Sequence, residues 1–248
     1  MHFPNVSAPG FALQPLCLTD VEATTDQALA MIKANAPPGT KGFIGESALT
    51  GGGGHDGVTN AFVSSMWYAD WLGAAAKRGV HAVMRETLVG GLYGIVNRSS
   101  YAPAPDAFTM ALHNALMGPG VLAVNVSVVV PHEPGGDSRV GQMLRAYAHQ
   151  SKGGSQSAVT LLMINIGSDT AFAVGPPPGA AAPGQRMEWH LTAADGDISA
   201  KRIMLNGKLL ELATPTSTAL PPMPGRPAPT ADPILVAPAS VVFVALSQ

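Results

Sequence analysis

The chain has 248 residues, of which 46% are hydrophobic and only 12% charged, with a formal net charge of -2. Ordinary soluble domains carry roughly 25% charged residues, so the polar surface here must be built largely from neutral groups; the near-zero charge and the lack of any Lys/Arg cluster argue against nucleic acid as a partner. The 28 Gly and 22 Pro make up about a fifth of the chain, short of the share typical of low-complexity disorder and indicative of long loops around a real core.

The first residues, Met1-His2-Phe3-Pro4-Asn5, form neither a basic n-region nor an apolar h-region, and no apolar run is long enough to cross a bilayer. Thr19 and Asp20 offer N-caps to a helix through Ala28, Leu29 and Ile32, which Pro37-Pro38-Gly39 stops before a short strand at Phe43-Ile44. After glycines 51–54, residues 58–78 carry Phe62, Met66, Trp67, Ala69 and Leu72 at helical spacing, with Gly79 as the stop. Residues 80–84 read as the next strand, and Asp106 opens a helix holding Phe108, Met110, Leu112 and Leu116.

Beyond Gly120 the helical period fades. Strands are expected at residues 121–130, 143–149, 159–166, 187–191, 202–205 and 241–246, with Asn206-Gly207 as a hairpin turn. Two proline-rich stretches, 176–183 and 221–238, read as surface loops. The expected architecture has two modules: a piece of a parallel α/β fold over residues 1–119, then an antiparallel β-sandwich over 120–248. Cys17 is the single cysteine and cannot form an internal disulfide. Asn5, Asn97 and Asn125 each open an Asn-x-Ser sequon, a pattern too short to carry weight.

Glu46 follows the first apolar strand and runs into the glycine loop. In a β/α barrel the ends of the strands hold the chemistry, because the loops leaving them converge on one mouth. By spacing alone, an exposed glutamate capping a loop is the favoured reading, since strand-Gly-Glu is a common pattern. The His residues are scattered without a ligand spacing, and the glycine run lacks the Lys-Ser/Thr of a phosphate loop, so no metal site and no cofactor are expected.

Gly45-Glu46-Ser47 with its glycine loop, Asn60 through Trp67-Tyr68, Met84-Arg85-Glu86, Gly90-Gly91-Leu92-Tyr93-Gly94 and Leu116-Met117-Gly118 resemble heparanase and the plant heparanase-like β-glucuronidases. The resemblance continues through Leu144-Arg145-Ala146-Tyr147 and Leu205-Asn206-Gly207. It implies the C-terminal piece of a (β/α)8 barrel followed by a β-sandwich, and retaining glycoside hydrolysis of the β-glucuronidase type without a cofactor. It makes Glu46 the nucleophile, sets the amides of Gly52 and Gly53 against a uronate carboxylate, and brings Tyr93 near the same carboxylate. His2 falls at a family histidine. Arg85 has two open readings, as a support for the charge of Glu46 or as the partner of some other carboxylate.

The family's acid/base follows an asparagine on an earlier barrel strand, and this sequence contains no Asn-Glu pair. The other glutamates, Glu22, Glu86, Glu133, Glu188 and Glu211, fall in segments that match non-catalytic parts of the family. The expectation is an incomplete chain, inactive alone, with the missing half of the barrel supplied elsewhere, even by a separate polypeptide; the alternative is a non-catalytic carbohydrate-binding remnant. A glucuronide or glycosaminoglycan-type carbohydrate is the expected partner, and a secreted, lysosomal or membrane-associated location is carried over from the family. With the barrel open, Met66, Trp67 and Leu112 are expected to meet water.

Overall fold

The computed structural model describes residues 2–3, 9–13, 15–127, 142–153, 158–175, 184–214, 217 and 219–246. Strand β1 (His2–Phe3) is followed by the short helix α1 (Pro9–Ala12) and the long α2 (Pro15–Asn35), then β2 (Phe43–Thr50), α3 (Phe62–Lys77), β3 (Ala82–Arg85) and α4 (Pro105–Leu116). The three strands pair in parallel in the order β1-β2-β3. The helix expected from the Thr19-Asp20 caps begins earlier, at Pro15, where proline suits a first turn.

The remainder is antiparallel. Strands β4 (Met117–Leu122), β5 (Leu144–Ser151), β6 (Val159–Asn165), β7 (Phe172–Val174), β8 (Gln185–Ala193), β9 (Ile203–Leu205), β10 (Lys208–Leu209), β11 (Arg226–Pro229), β12 (Ile234–Val236) and β13 (Ser240–Leu246) follow in turn. A sheet of eight strands runs β10-β9-β8-β13-β6-β5-β4, with β11 added beside β8, while β7 and β12 form a separate ribbon. Asn206 and Gly207, both at positive φ, make the β9–β10 hairpin turn. The stretch 221–238 is not simply loop, since it holds β11 and β12. In β11, Pro227 and Pro229 sit in a strand that, among the described residues, pairs with β8 alone, where a missing N–H costs no ladder bond. Residues 128–130 and 176–183 lie outside the described residues.

Central strand β13 explains how the layers join. Alternate side chains point to opposite faces of a strand. Val241 and Phe243 therefore enter one core with Tyr147, Leu162 and Leu191, whereas Val242 and Val244 enter a second core with Phe172, Ile234 and Val236 of the ribbon. The first core also takes Phe62, Met66, Trp67 and Trp71 of α3 and Phe108 and Leu112 of α4. This overturns the expectation for Met66, Trp67 and Leu112, which are 0%, 1% and 3% exposed. Helix α3 is apolar on nearly all sides, and the antiparallel sheet covers the face that an incomplete barrel was expected to leave wet.

Polar contacts reinforce the same seam. Ala61 has no capping side chain, so the first amides of α3 find other acceptors: Phe62 N donates to Ala200 O and Val63 N to Ile198 O, both at 2.9 Å. Deeper in, Arg145 of β5 pairs with Asp70 of α3 at 2.8 Å and with Glu22 of α2 at 2.5 Å, and Tyr147 donates to Asp70 at 2.7 Å. Arg78 adds a second cation to Glu22 at 2.6 Å. Burial pushes Glu22 up, but Arg145 and Arg78 together outweigh it and hold the carboxyl below its usual range. Among the described residues no helix is long and apolar enough to cross a membrane.

Candidate active site

Strand β2 carries one more residue than β3 between their paired positions: Ile44 faces Val83 and Ser47 faces Arg85, with the register shift between them. Gly45 and Glu46 occupy that irregularity, and Glu46 is exposed. An extra residue in a strand re-aims the side chain it carries. Beyond it, Ser47 is buried and its hydroxyl donates to Met84 O at 2.9 Å, which anchors β2 to β3 next to Glu46.

The strand leads into glycines 51–54, where Gly52, Gly53 and Gly54 have φ of 69°, 93° and 87°. This left-handed backbone strains any residue with a Cβ. At Gly54 space is also lacking, since a Cβ would lie 2.4 Å from Thr59 Oγ1. Thr59 is the knot of the loop: its hydroxyl accepts from His55 N and is within hydrogen-bonding distance of Leu92 O, both at 2.9 Å. Leu92 N returns a bond to Gly53 O at 2.6 Å. The glycine loop and the loop after β3 are thereby one unit.

That second loop brings in Tyr93. Its hydroxyl donates to Glu86 Oε1 at 3.3 Å and also bonds the Gly53 backbone. Partial removal from water holds the Tyr93 hydroxyl above its ordinary value, the carboxylates of Glu86 and Glu46 add to this, and the Gly53 bond opposes it. Glu46, Gly53 and Tyr93 are thus gathered at one place. Gly52 is the exposed neighbour of Gly53 in the same loop.

Of the two readings left open for Arg85, the geometry shows the ion pair with another carboxylate. Arg85 Nε lies 2.9 Å from Asp106 Oδ2 of α4, and its guanidinium also reaches Ser64 Oγ, the carbonyls of Ser47 and Glu86, and the face of Tyr68. His2 lies on β1 opposite Ala48, two residues beyond Glu46, and its side chain lies outside the described residues. Glu86 is the residue that sequence reasoning passed over. It directly follows Arg85, the last residue of β3, so the criterion by which the sequence singled out Glu46, a carboxylate at the end of a parallel strand, fits Glu86 better than Glu46, which lies inside β2. Among the described residues, no group of three or more His, Cys, Asp or Glu could hold a metal ion.

No family model matches the chain. Heparanase-like protein 1 of Arabidopsis thaliana is 32% identical over 94% of this chain and 46% of its own length. Over nearly all of its length this chain is similar to the heparanase-like proteins. Baicalin-beta-D-glucuronidase of Scutellaria baicalensis is 30% identical over 99% of this chain, and mouse heparanase is 28% identical over 82% of it. These alignments cover 44% and 36% of the two relatives, so the chain spans less than half the length of the curated relatives it matches. Among solved structures, a 4-O-alpha-L-rhamnosyl-beta-D-glucuronidase from Fusarium oxysporum aligns with 99% of the chain and 52% of its own (TM-score 0.62, 14% identity). A GH51 alpha-L-arabinofuranosidase from Thermotoga petrophila aligns with 93% and 47% (TM-score 0.61, 14% identity). At that identity the two structures speak for the fold alone: mixed α/β with antiparallel sheets.

Proposed function

We propose that this chain carries the nucleophile part of a heparanase-like retaining glycoside hydrolase of the β-glucuronidase type. In this reading the parallel strands β1 to β3 with their helices are the C-terminal piece of a (β/α)8 barrel, residues 1–119, and residues 120–248 form the sandwich that braces it. Support comes from the outer position of β1 and β3, each paired on one side only among the described residues, and from Phe43, Met84 and Leu88, which are exposed on or beside that sheet. The relatives align over less than half of their length, and the reading assigns the acid/base carboxylate to the unaligned part, in the same or a separate polypeptide. A secreted, lysosomal or membrane-associated setting goes with the family.

Chemically, Glu46 attacks the anomeric carbon, an ester to the sugar forms as the aglycone leaves, and water later releases the sugar. The Gly52 and Gly53 amides and the Tyr93 hydroxyl face the uronate carboxylate of a glucuronide or glycosaminoglycan-type substrate, since backbone N–H groups in a glycine loop approach an anion closely. Arg85 serves as a structural cation beneath the site. The observation that carries the reading is Tyr93, which bonds both Gly53 and Glu86 while feeling the charge of Glu46.

The test uses a 2,4-dinitrophenyl 2-deoxy-2-fluoro-β-glucuronide, whose leaving group departs without a proton and whose fluorine slows release of the sugar. One glycosyl mass should appear on the peptide holding Glu46, and Glu46→Gln should abolish it. Labelling that persists in the variant would refute the assignment.

A further inference from the structure

The site does not absorb every motif of the chain. Asn97-Arg98-Ser99 is one of the Asn-x-Ser sequons, and it lies in the connection from β3 to α4 that also carries Tyr93. Residues 97–102 are all exposed. They form the tip of a hairpin: Val96 pairs with Pro103, Asn97 N donates to Ala102 O and Tyr101 N to Asn97 O, both at 2.9 Å. Within it Asn97 Oδ1 accepts from Ser99 N and Ser100 N, each at 2.9 Å, an Asx turn that bends Ser99 back toward the side-chain amide. The amide nitrogen is left over. Among the described residues Asn97 Nδ2 donates no hydrogen bond, whereas Asn35, Asn60, Asn165 and Asn206 each spend that nitrogen on a carbonyl or carboxylate oxygen.

We infer that Asn97 is the acceptor of an N-linked glycan, transferred from a lipid-pyrophosphate oligosaccharide in a secretory compartment. Asn97 Nδ2 bonds C1 of the first sugar as C1 parts from the pyrophosphate oxygen; the amide proton goes to a base of the transferring enzyme, and the lipid pyrophosphate leaves. The three-residue pattern is too short to decide this, and the fold supplies what the pattern lacks. The nitrogen is free, the position is exposed enough for a bulky polar group, and the turn survives the reaction. It survives because a primary amide becomes a secondary one while Oδ1 keeps both of its bonds. Asn125 meets fewer of these conditions: it is exposed, but Val124 and Val126 on either side pack against the second core and its sequon makes no turn. The inference rests on the secreted, lysosomal or membrane-associated setting proposed above.

The experiment uses the protein isolated from its own cells. Peptide N-glycosidase acting in heavy-oxygen water removes N-glycans and leaves each former acceptor as an isotope-marked Asp, and peptide mass mapping reads Asn97 and Asn125 together with Asn5, which lies outside the described residues. Asn97 should carry the mark, in a larger share of molecules than Asn125. Ser99→Ala, made in the same cells, keeps the backbone N–H that Asn97 bonds, so the hairpin stands, yet the mark at Asn97 should be lost. Ser99→Thr, which restores a hydroxyl, should keep it. An unmarked Asn97 in the wild type overturns the inference, as does a mark that survives Ser99→Ala. The other sequons separate the two ways of failing: a mark on Asn5 or Asn125 with none on Asn97 leaves the secretory setting standing, whereas no mark on any of the three removes that setting as well.

Discussion

Arg85 Nε lies 2.9 Å from Asp106 Oδ2, and the two side chains are 1% and 2% exposed, so β3 is fastened to α4 by an ion pair sealed from water. Burial pushes the Asp106 carboxyl up while Arg85 and Ser64 pull against it. Removing one partner strands the other charge in the interior, which typically costs about 3–5 kcal/mol, whereas replacing both by apolar groups costs much less. Asp106→Leu should therefore lower the denaturant midpoint far more than the Arg85→Met/Asp106→Leu pair does. A double-mutant cycle by urea unfolding checks this, and additive losses would show that the pair is not coupled.

The glycine loop supplies a second test. Gly54 has φ +87° and no room for a Cβ beside Thr59, while Gly52 has φ +69° with open space around it. Gly52→Ala should cost only the backbone strain, about 1–2 kcal/mol. Gly54→Ala should cost clearly more, because it also displaces the Thr59 hydroxyl that ties the loop to Leu92. Urea midpoints of the two variants should separate in that order, and Gly54→Ala should also weaken labelling at Glu46 by loosening Tyr93.

Much of this could be read in advance, and the omissions share a cause. Local signals placed α3, α4, β2 and the Asn206-Gly207 turn, because period, proline and glycine act over a few residues. Glu46 stood out as a carboxylate leading into the glycine loop, although β2 runs on to Thr50 and holds Glu46 inside it, and its nearness to Gly53 and Tyr93 followed from the family motif. What one dimension did not decide was who meets whom. Arg85 needed a partner 21 positions away, and nothing local favours Asp106 over Glu46. The apolar faces of α3 were expected to meet water, because nothing local says that Tyr147 and Phe243 bury them. Glu86 was dismissed on segment matching, although its place after β3 was the same argument that had promoted Glu46.

His113 of α4 offers a pH test. Its ring meets that of His149 edge-on at 6.0 Å, and burial, with a smaller contribution from His149, lowers its pKa from 6.5 to about 4. A histidine depressed in the folded state takes up protons more readily when unfolded. Stability is then intact above about pH 6.5 and falls progressively as the pH drops toward 4, by up to about 3 kcal/mol. His113→Gln should remove most of that loss across this window, in urea unfolding series at pH 7, 5.5 and 4.5. A variant that follows the wild-type slope would place the acid sensitivity elsewhere, first at Glu22, whose depressed carboxyl contributes stability that is lost only as the pH falls through and below its ordinary value of 4.5.

The last test separates the wet face of the molecule from its dry one. Phe43 is 57% exposed, Met84 44% and Leu88 66%, all on or beside the three-stranded sheet, whereas Trp67 on the neighbouring helix is 1% exposed. A hydrophobic dye should therefore bind the isolated chain through the sheet, since contiguous exposed apolar patches are uncommon on soluble monomers. Phe43→Ser with Met84→Ser removes apolar area that already meets water, so it should lower dye fluorescence by roughly half while shifting the unfolding midpoint little. Trp67→Ala should do the reverse: opening the core shared by α3 and the antiparallel sheet costs about 3–5 kcal/mol and raises dye binding. Dye fluorescence read beside urea unfolding on the same samples distinguishes the two. If the double serine variant bound as much dye as the parent, the accessible surface would lie away from β2 and β3, and the support those strands give to the open-barrel reading would be lost.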